Sequence, residues 1–191
     1  MGRTVRPAGW LRQNRWALVI VAVLLPATLA ITFSSAWQGY FNERPSRPVD
    51  VAVGETVEYA DAGWRIEGTE RFDSASLVGT ERDLPSGTEL LVVTVAVDPH
   101  AESEPGDAAA CTARLEESGN AVTRSWAAVA ANPVSLDGSG PEQKSCSTTA
   151  TAPYSFEAEF VVPADAGRDG TLTLGVSVLA ELPRYARFAL D

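Results

Sequence analysis

The one histidine of the chain, His100, lies in a hydrophilic run, residues 98–107 (DPHAESEPGD), beside Asp98, Glu102, Glu104 and Asp107. Such oxygen donors suit a hard divalent cation such as Ca²⁺. The run lacks the D-x-D-x-D-G spacing of a calcium loop, and Pro99 and Pro105 interrupt it, so it reads as a solvated loop between strands. Two further carboxylate pairs, Glu116–Glu117 and Glu157/Glu159, fall on expected outward faces and read as surface charge, not a glycosidase acid–base pair. Nucleophilic hydrolysis needs a nucleophile, a base and a group that orients the base. There is no G-x-S-x-G, and Gly138-Ser139-Gly140 matches neither a phosphate-cradling loop nor a dinucleotide fingerprint. No catalytic residue, metal ligand or cofactor is expected, and the chain reads as something other than an enzyme.

Cys111 and Cys146 are the only cysteines. An even count in an exported domain implies a disulfide. Closing a loop of about 35 residues stabilises by roughly 3–4 kcal/mol on chain-entropy reckoning. A metal or catalytic role for the pair needs a histidine or a second thiol pair nearby, and the composition offers little of either.

The elements that position these residues alternate with a period of two. In 89–98 (ELLVVTVAVD), Leu91, Val93, Val95 and Val97 share one face of an expected central strand. In 154–162 (YSFEAEFVV), Phe156, Ala158, Phe160 and Val162 point one way and Glu157 and Glu159 toward water. In 171–180 (TLTLGVSVLA), Leu172, Leu174, Val176 and Val178 share the buried side. Weaker strand candidates are 50–53, 55–60, 63–72, 109–116, 121–126 and 186–190. Turn signals fall at Ala62-Gly63, Pro85-Ser86-Gly87, Ser118-Gly119-Asn120, 137–141 and 166–170. Seven to nine short strands so spaced predict an antiparallel β-sandwich. Trp64 and Trp126 are expected in its core, and no helix is expected outside the N-terminal segment.

That segment is set apart by charge. Residues 1–15 hold four arginines (Arg3, Arg6, Arg12, Arg15) and no acid, and no charged residue follows until Glu43. With 15 basic and 25 acidic residues in all, the part beyond the head carries 11 against 25. An apolar run so flanked predicts a membrane span with its N-terminus in the cytoplasm. From Trp16 to Trp37 a helix rises roughly 31 Å, the thickness of a hydrocarbon slab of about 30 Å. Arg12, Arg15, Trp16, Trp37 and Tyr40 are then placed at the membrane interfaces. Pro26 is expected to kink the helix, with Thr28, Thr32 or neighbouring helices satisfying the freed carbonyl. The rival reading is a cleaved secretory signal, for which Ser34-Ser35-Ala36 offers small residues. The expected layout is a basic head over 1–15, a transmembrane helix over 16–37, a stalk over 38–49 and an extracytoplasmic sandwich over 50–191. The acidic exterior repels nucleic acid and anionic headgroups.

The order VAVGETVEY, GWRIEGTERF, GTELLVVTVAVD, LEESGN and FEAEFVVPADAGRDGTLTLGV over residues 51–178 resembles the immunoglobulin-like domains of uncharacterised exported and membrane-anchored proteins of high-GC Gram-positive bacteria. More distantly it is similar to small secreted antigens of mycobacteria. The resemblance implies an immunoglobulin-like antiparallel β-sandwich and a location, and brings no catalytic residues. The leading expectation is a membrane-tethered module that binds another envelope protein, with an accessory subunit of a membrane complex as one form of that role. The alternative is an envelope sensor of a ligand or ion. Two partner surfaces suggest themselves: Pro26 and Thr28 on the helix, and the terminal Arg184, Tyr185 and Arg187. The arginines of that terminal group read equally as the exposed positions of a last strand.

Overall fold

The computed structural model describes residues 12–100, 111–119, 123–129, 145–147 and 150–190. The expected head up to residue 11, Glu102, Glu104 and Asp107, and the loop at 137–141 lie outside them. The chain divides into two compact units, Met1–Asn42 and Glu43–Asp191.

The first unit holds helix α1, Arg15–Asn42. It is the one helix among the described residues long and apolar enough to cross a membrane, by length and composition. It runs past the expected end at residue 37. Residues 38–42 (QGYFN) contain no proline, and Trp37 and Phe41, one turn apart, pack with tilted rings at 4.6 Å between centroids, which favours continuing the helix. Of the expected stalk only residues 43–46 remain between helix and strand. Pro26 sits inside α1 without ending it. The Thr28 hydroxyl donates to the Leu24 and Leu25 carbonyls at 2.8 and 2.9 Å, neither of which is the Ala22 carbonyl that Pro26 leaves without its N–H. Thr28 is therefore not the group that satisfies it.

The second unit is a β-sandwich. Its strands are β1 (Arg47–Val51), β2 (Thr56–Tyr59), β3 (Ala62–Asp73), β4 (Thr88–Pro99), β5 (Cys111–Gly119), β6 (Thr123–Ala127), β7 (Tyr154–Pro163), β8 (Gly170–Val178) and β9 (Arg184–Ala189). They form a five-stranded sheet in the order β1-β9-β8-β5-β6 and a four-stranded sheet in the order β2-β3-β4-β7. All pairs are antiparallel except β1 with β9, which run parallel from Arg47↔Arg184 to Val51↔Phe188. The expected strands are all present, their ends shifted by a few residues. The β2–β3 turn, however, is made by Ala60 and Asp61, at φ 53° and 55°, with Ala62 and Gly63 already in β3. Two left-handed residues in a two-residue loop give the twist that a hairpin needs.

Alternation places the core where the pattern predicts. Leu91, Val93 and Val95 of β4 lie opposite Phe160, Ala158 and Phe156 of β7, all buried. Leu115, Leu172, Leu174, Val176 and Val178 face them from the other sheet. Each fully buried Phe or Leu contributes roughly 1.5–3 kcal/mol of transfer free energy. Trp64 is 2% exposed and gives its indole N–H to the Tyr59 carbonyl at 2.7 Å. Trp126 is only half-buried, packed against the core from β6.

One element escaped the alternation. Helix α2, Leu77–Glu81, interrupts the β3–β4 connection. Asp73 Oδ1 accepts from the N–H groups of Ala75 and Ser76, and Ser76 caps the helix by accepting from the Gly79 N–H at 3.0 Å. Gly79 lies so close to the Asp73 backbone that a Cβ there would sit 2.1 Å from its carbonyl oxygen.

Candidate functional site

All nine strands begin or end at one end of the sandwich where β1 starts. There Val178 lies opposite Cys111, Arg47 opposite Arg184, and Ala62 opposite Pro99. The two sheets are tied together at this entry end by a tyrosine hydroxyl, and one covalent bond fastens it further. The Tyr59 hydroxyl donates to the Arg184 carbonyl and accepts from the Val178 N–H, both at 3.0 Å, so β2 of one sheet is fastened to β8 and β9 of the other. Burial is the main cause that pushes the Tyr59 hydroxyl above its ordinary pKa of 10.0. Cys111 and Cys146 are joined, with Cα atoms 6.1 Å apart. The Tyr154 hydroxyl donates to the Ser147 carbonyl at 2.7 Å and accepts from the Ser147 N–H at 2.8 Å.

Two concavities open near this end. The first is a trough of about 580 Å³ on the outer face of the four-stranded sheet. Strand register builds it: Thr56, Arg65, Ala96 and Ser155 form one row, and Glu58, Gly63 and Asp98 the next. Gly63 and Ala96 leave a low floor, and Arg65, Glu67, Ser155 and Asp98 stand around it. Glu67 accepts from the Ser155 hydroxyl at 2.8 Å and from Arg65 at 3.4 Å. At the margin His100 Nε2 meets Glu58 Oε2 at 2.7 Å, above Gly63. His100 is thus joined to a carboxylate on β2. Among the described residues no three His, Cys, Asp or Glu side chains are grouped to hold a metal ion. The second concavity, about 340 Å³ and mainly apolar, lies between β5 and β7 with the disulfide in its wall and Ala113, Ala127 and Ala158 lining it.

The carboxylates expected on outer faces are a correction. Glu159 is 4% and Glu117 3% exposed. Glu159 does point away from the sandwich core, but Arg82, carried there by the β3–β4 connection, covers it with two contacts of 3.1 Å. The Val129 N–H also donates to the Glu159 carbonyl at 2.8 Å. Glu117 accepts from Arg124 Nε at 2.7 Å and from the Gly167 N–H at 3.0 Å. Arg124 reaches on to both oxygens of Asp165 and lies 5.5 Å above the Trp126 ring. Those bonds, the one to Glu117 first, hold the guanidinium even more firmly protonated. Both carboxylates are engaged by arginine, and that of Glu117 by a backbone N–H as well, an arrangement that fixes loops.

The remaining sequence candidates fall as follows. Arg12, Arg15, Trp16, Trp37 and Tyr40 belong to the first unit, where Arg15 lies 5.9 Å over the Trp16 ring and the Tyr40 and Phe41 rings meet edge to face at 5.2 Å. Pro26 and Thr28 sit mid-helix with exposed apolar neighbours. The terminal group is a strand and not a tail. Tyr185 is buried and lies over Gly175. Arg187 is bonded to Asp50 at 2.6 Å and Arg184 to Glu181. Phe188 and Ala186 belong to the core.

No protein-family model matches this chain, and no curated protein does. A solved structure with a similar arrangement is that of an uncharacterized β-sandwich protein from Clostridium difficile 630. It is 10% identical, with a TM-score of 0.42, over 78% of this chain and 97% of that one. The fold of this chain is a β-sandwich preceded by one apolar helix.

Proposed function

We propose that this chain is an extracytoplasmic module of immunoglobulin-like build, held to a membrane by α1, which acts by binding another envelope protein and performs no chemistry of its own. The observation that carries the reading is α1 itself: 28 residues without an acid, preceded by an arginine-rich head and followed by an acidic sandwich. The disulfide supports an oxidising location for the second unit. The immunoglobulin-like description draws support from the chain path, which crosses between the sheets from β4 to β5, from β6 to β7 and again from β7 to β8. It also accords with the resemblance of the sequence pattern over residues 51–178 to immunoglobulin-like domains of exported proteins of high-GC Gram-positive bacteria.

Alkaline carbonate washing of membranes, with intact-mass measurement of the retained protein, tests the tether. An uncleaved chain in the membrane pellet is expected. A soluble product that begins between residues 34 and 40 would sink the anchor in favour of a signal sequence. Gentle solubilisation then tests the binding role: a stoichiometric co-purifying envelope protein is expected, and a pure monomer refutes it.

A second reading, an envelope ligand or ion sensor, is favoured by the trough, where the exposed Arg65 and Asp98 flank a floor of Gly63 and Ala96. Calcium is its simplest probe. A melting temperature that rises with Ca²⁺ supports that version, and an unmoved one removes it.

A further inference from the structure

We propose that Tyr154 is the positioning residue of the Cys111–Cys146 disulfide, its hydroxyl holding the backbone beside Cys146 in register with Cys111 before the sulfurs join. The two cysteines are placed by different means. Cys111 opens β5 and is fixed opposite Val178 of β8. Cys146 belongs to no strand, and in sequence it lies in the long connection between β6 and β7. The residue after it, Ser147, is gripped at both its N–H and its carbonyl by one hydroxyl, at 2.8 and 2.7 Å. A phenol that spends its donor and its acceptor on a single residue acts as a backbone clamp.

The clamp is itself anchored. Tyr154 opens β7, paired opposite Val97, and its ring lies 6.4 Å from that of Phe156. Tyr154, Cys146 and Cys111 all pack against the same core cluster. Burial also raises the pKa of the Tyr154 hydroxyl, which keeps it protonated and able to donate. In the reduced chain the two sulfurs are separated by 35 residues, a span whose closure is entropically costly unless something else shortens it. Tyr154 shortens it.

The chemistry is thiol–disulfide exchange with a small-molecule disulfide as oxidant. One cysteine thiolate attacks glutathione disulfide, forms a mixed disulfide and releases a glutathione thiolate. The other thiolate attacks the protein sulfur of that mixed disulfide, and the second glutathione leaves. Two electrons pass from the protein dithiol to glutathione disulfide, and the two thiol protons pass to the released glutathiones. The equilibrium measures how concentrated each cysteine is in the sight of the other.

The full chain in detergent micelles is equilibrated in glutathione redox buffers, trapped and quantified by mass. Tyr154→Phe keeps the ring and removes the clamp. Tyr59→Phe serves as control, since it also removes two bonds to backbone but none to residues 145–147. The effective concentration is expected to fall by about fivefold or more in Tyr154→Phe beyond any fall in Tyr59→Phe. Equal falls in the two variants overturn the proposal. If Tyr154→Phe does not fold, hydrogen exchange of the reduced wild type decides: a protected Ser147 amide supports the clamp, and an amide that exchanges at the unstructured rate refutes it.

Discussion

The two ends of the sandwich are closed by opposite chemistry. The entry end, where β1 starts, is held inside by hydroxyl-to-backbone bonds of Tyr59 and Tyr154 and by the disulfide, with the Arg184–Glu181 and His100–Glu58 contacts at its surface. The far end, with its β3–β4, β5–β6 and β7–β8 connections, is held by guanidinium–carboxylate contacts, Arg82 to Glu159 and Arg124 to Glu117 and Asp165. Arg71, which reaches the Ala166 carbonyl at 3.0 Å, adds a third arginine there. Neutral bonds and a covalent link are indifferent to salt, whereas ion pairs answer to charge on both partners. A protein acidic overall has thus set Arg82, Arg124 and Arg71 to fastening loops, with Arg82 the most deeply covered of the three.

The largest break in this symmetry is expected at Arg82. Arg82→Ala strands the buried Glu159 carboxylate and should cost about 3–5 kcal/mol in urea unfolding, whereas replacing both partners, Arg82→Met with Glu159→Leu, should recover most of it. If the double variant is as unstable as the single one, the pair is doing more than neutralising itself. Reduction of the disulfide comes next. It should lower stability by about 3–4 kcal/mol on the chain-entropy reckoning, by the same amount in low and high salt. Tyr59→Phe should cost about 1–3 kcal/mol, because the Val178 N–H and the Arg184 carbonyl lose their partner.

A pH titration separates the ends further. Burial raises the pKa of Tyr59 and Tyr154 above the ordinary 10.0, so the folded state holds those protons more tightly than the unfolded one. Their contribution is therefore complete below pH 10 and lost as the pH climbs through the folded-state values. Melting temperature should fall above pH 10 together with phenolate absorbance, and less steeply in Tyr59→Phe. A fall that begins well below pH 10 would point to another group. The smallest effect is a gain: Ala60→Gly relieves a left-handed residue in the β2–β3 turn and should stabilise by up to about 1 kcal/mol.

Much of this was legible beforehand. Period-two alternation located the strands and every large core side chain from Leu91 to Val178, because burial on one face is what the pattern records. Glu117 departs from the pattern as a carboxylate on the buried side of β5, the side of Leu115 and opposite buried Leu172, where Arg124 and the Gly167 N–H hold it. At Glu159 the pattern gives the face correctly and cannot say that a loop from elsewhere returns to cover it. Arg82 is 77 positions from Glu159, a separation no local period spans. Helix α2 was missed for the opposite reason: five residues are too few to show a helical period, although Asp73 and Ser76 carried the capping signal. The trough was invisible because it is made by register, a glycine on β3 beside an alanine on β4, and register is set by pairing across the sheet.

The parallel pairing of β1 with β9 has a mechanical meaning. β1 is the first strand after α1, and Ser46 and Arg47 are bonded to the Pro183 carbonyl at its very start. A pull on residue 43 along the strand meets β9 running the same way, with its other end buried at Phe188 and Leu190. The bonds between them lie across the line of force, so they are loaded together in shear rather than opened one after another. Tension transmitted along the chain from α1 would therefore be carried by the first and last strands as a unit, and the core behind them would feel it last.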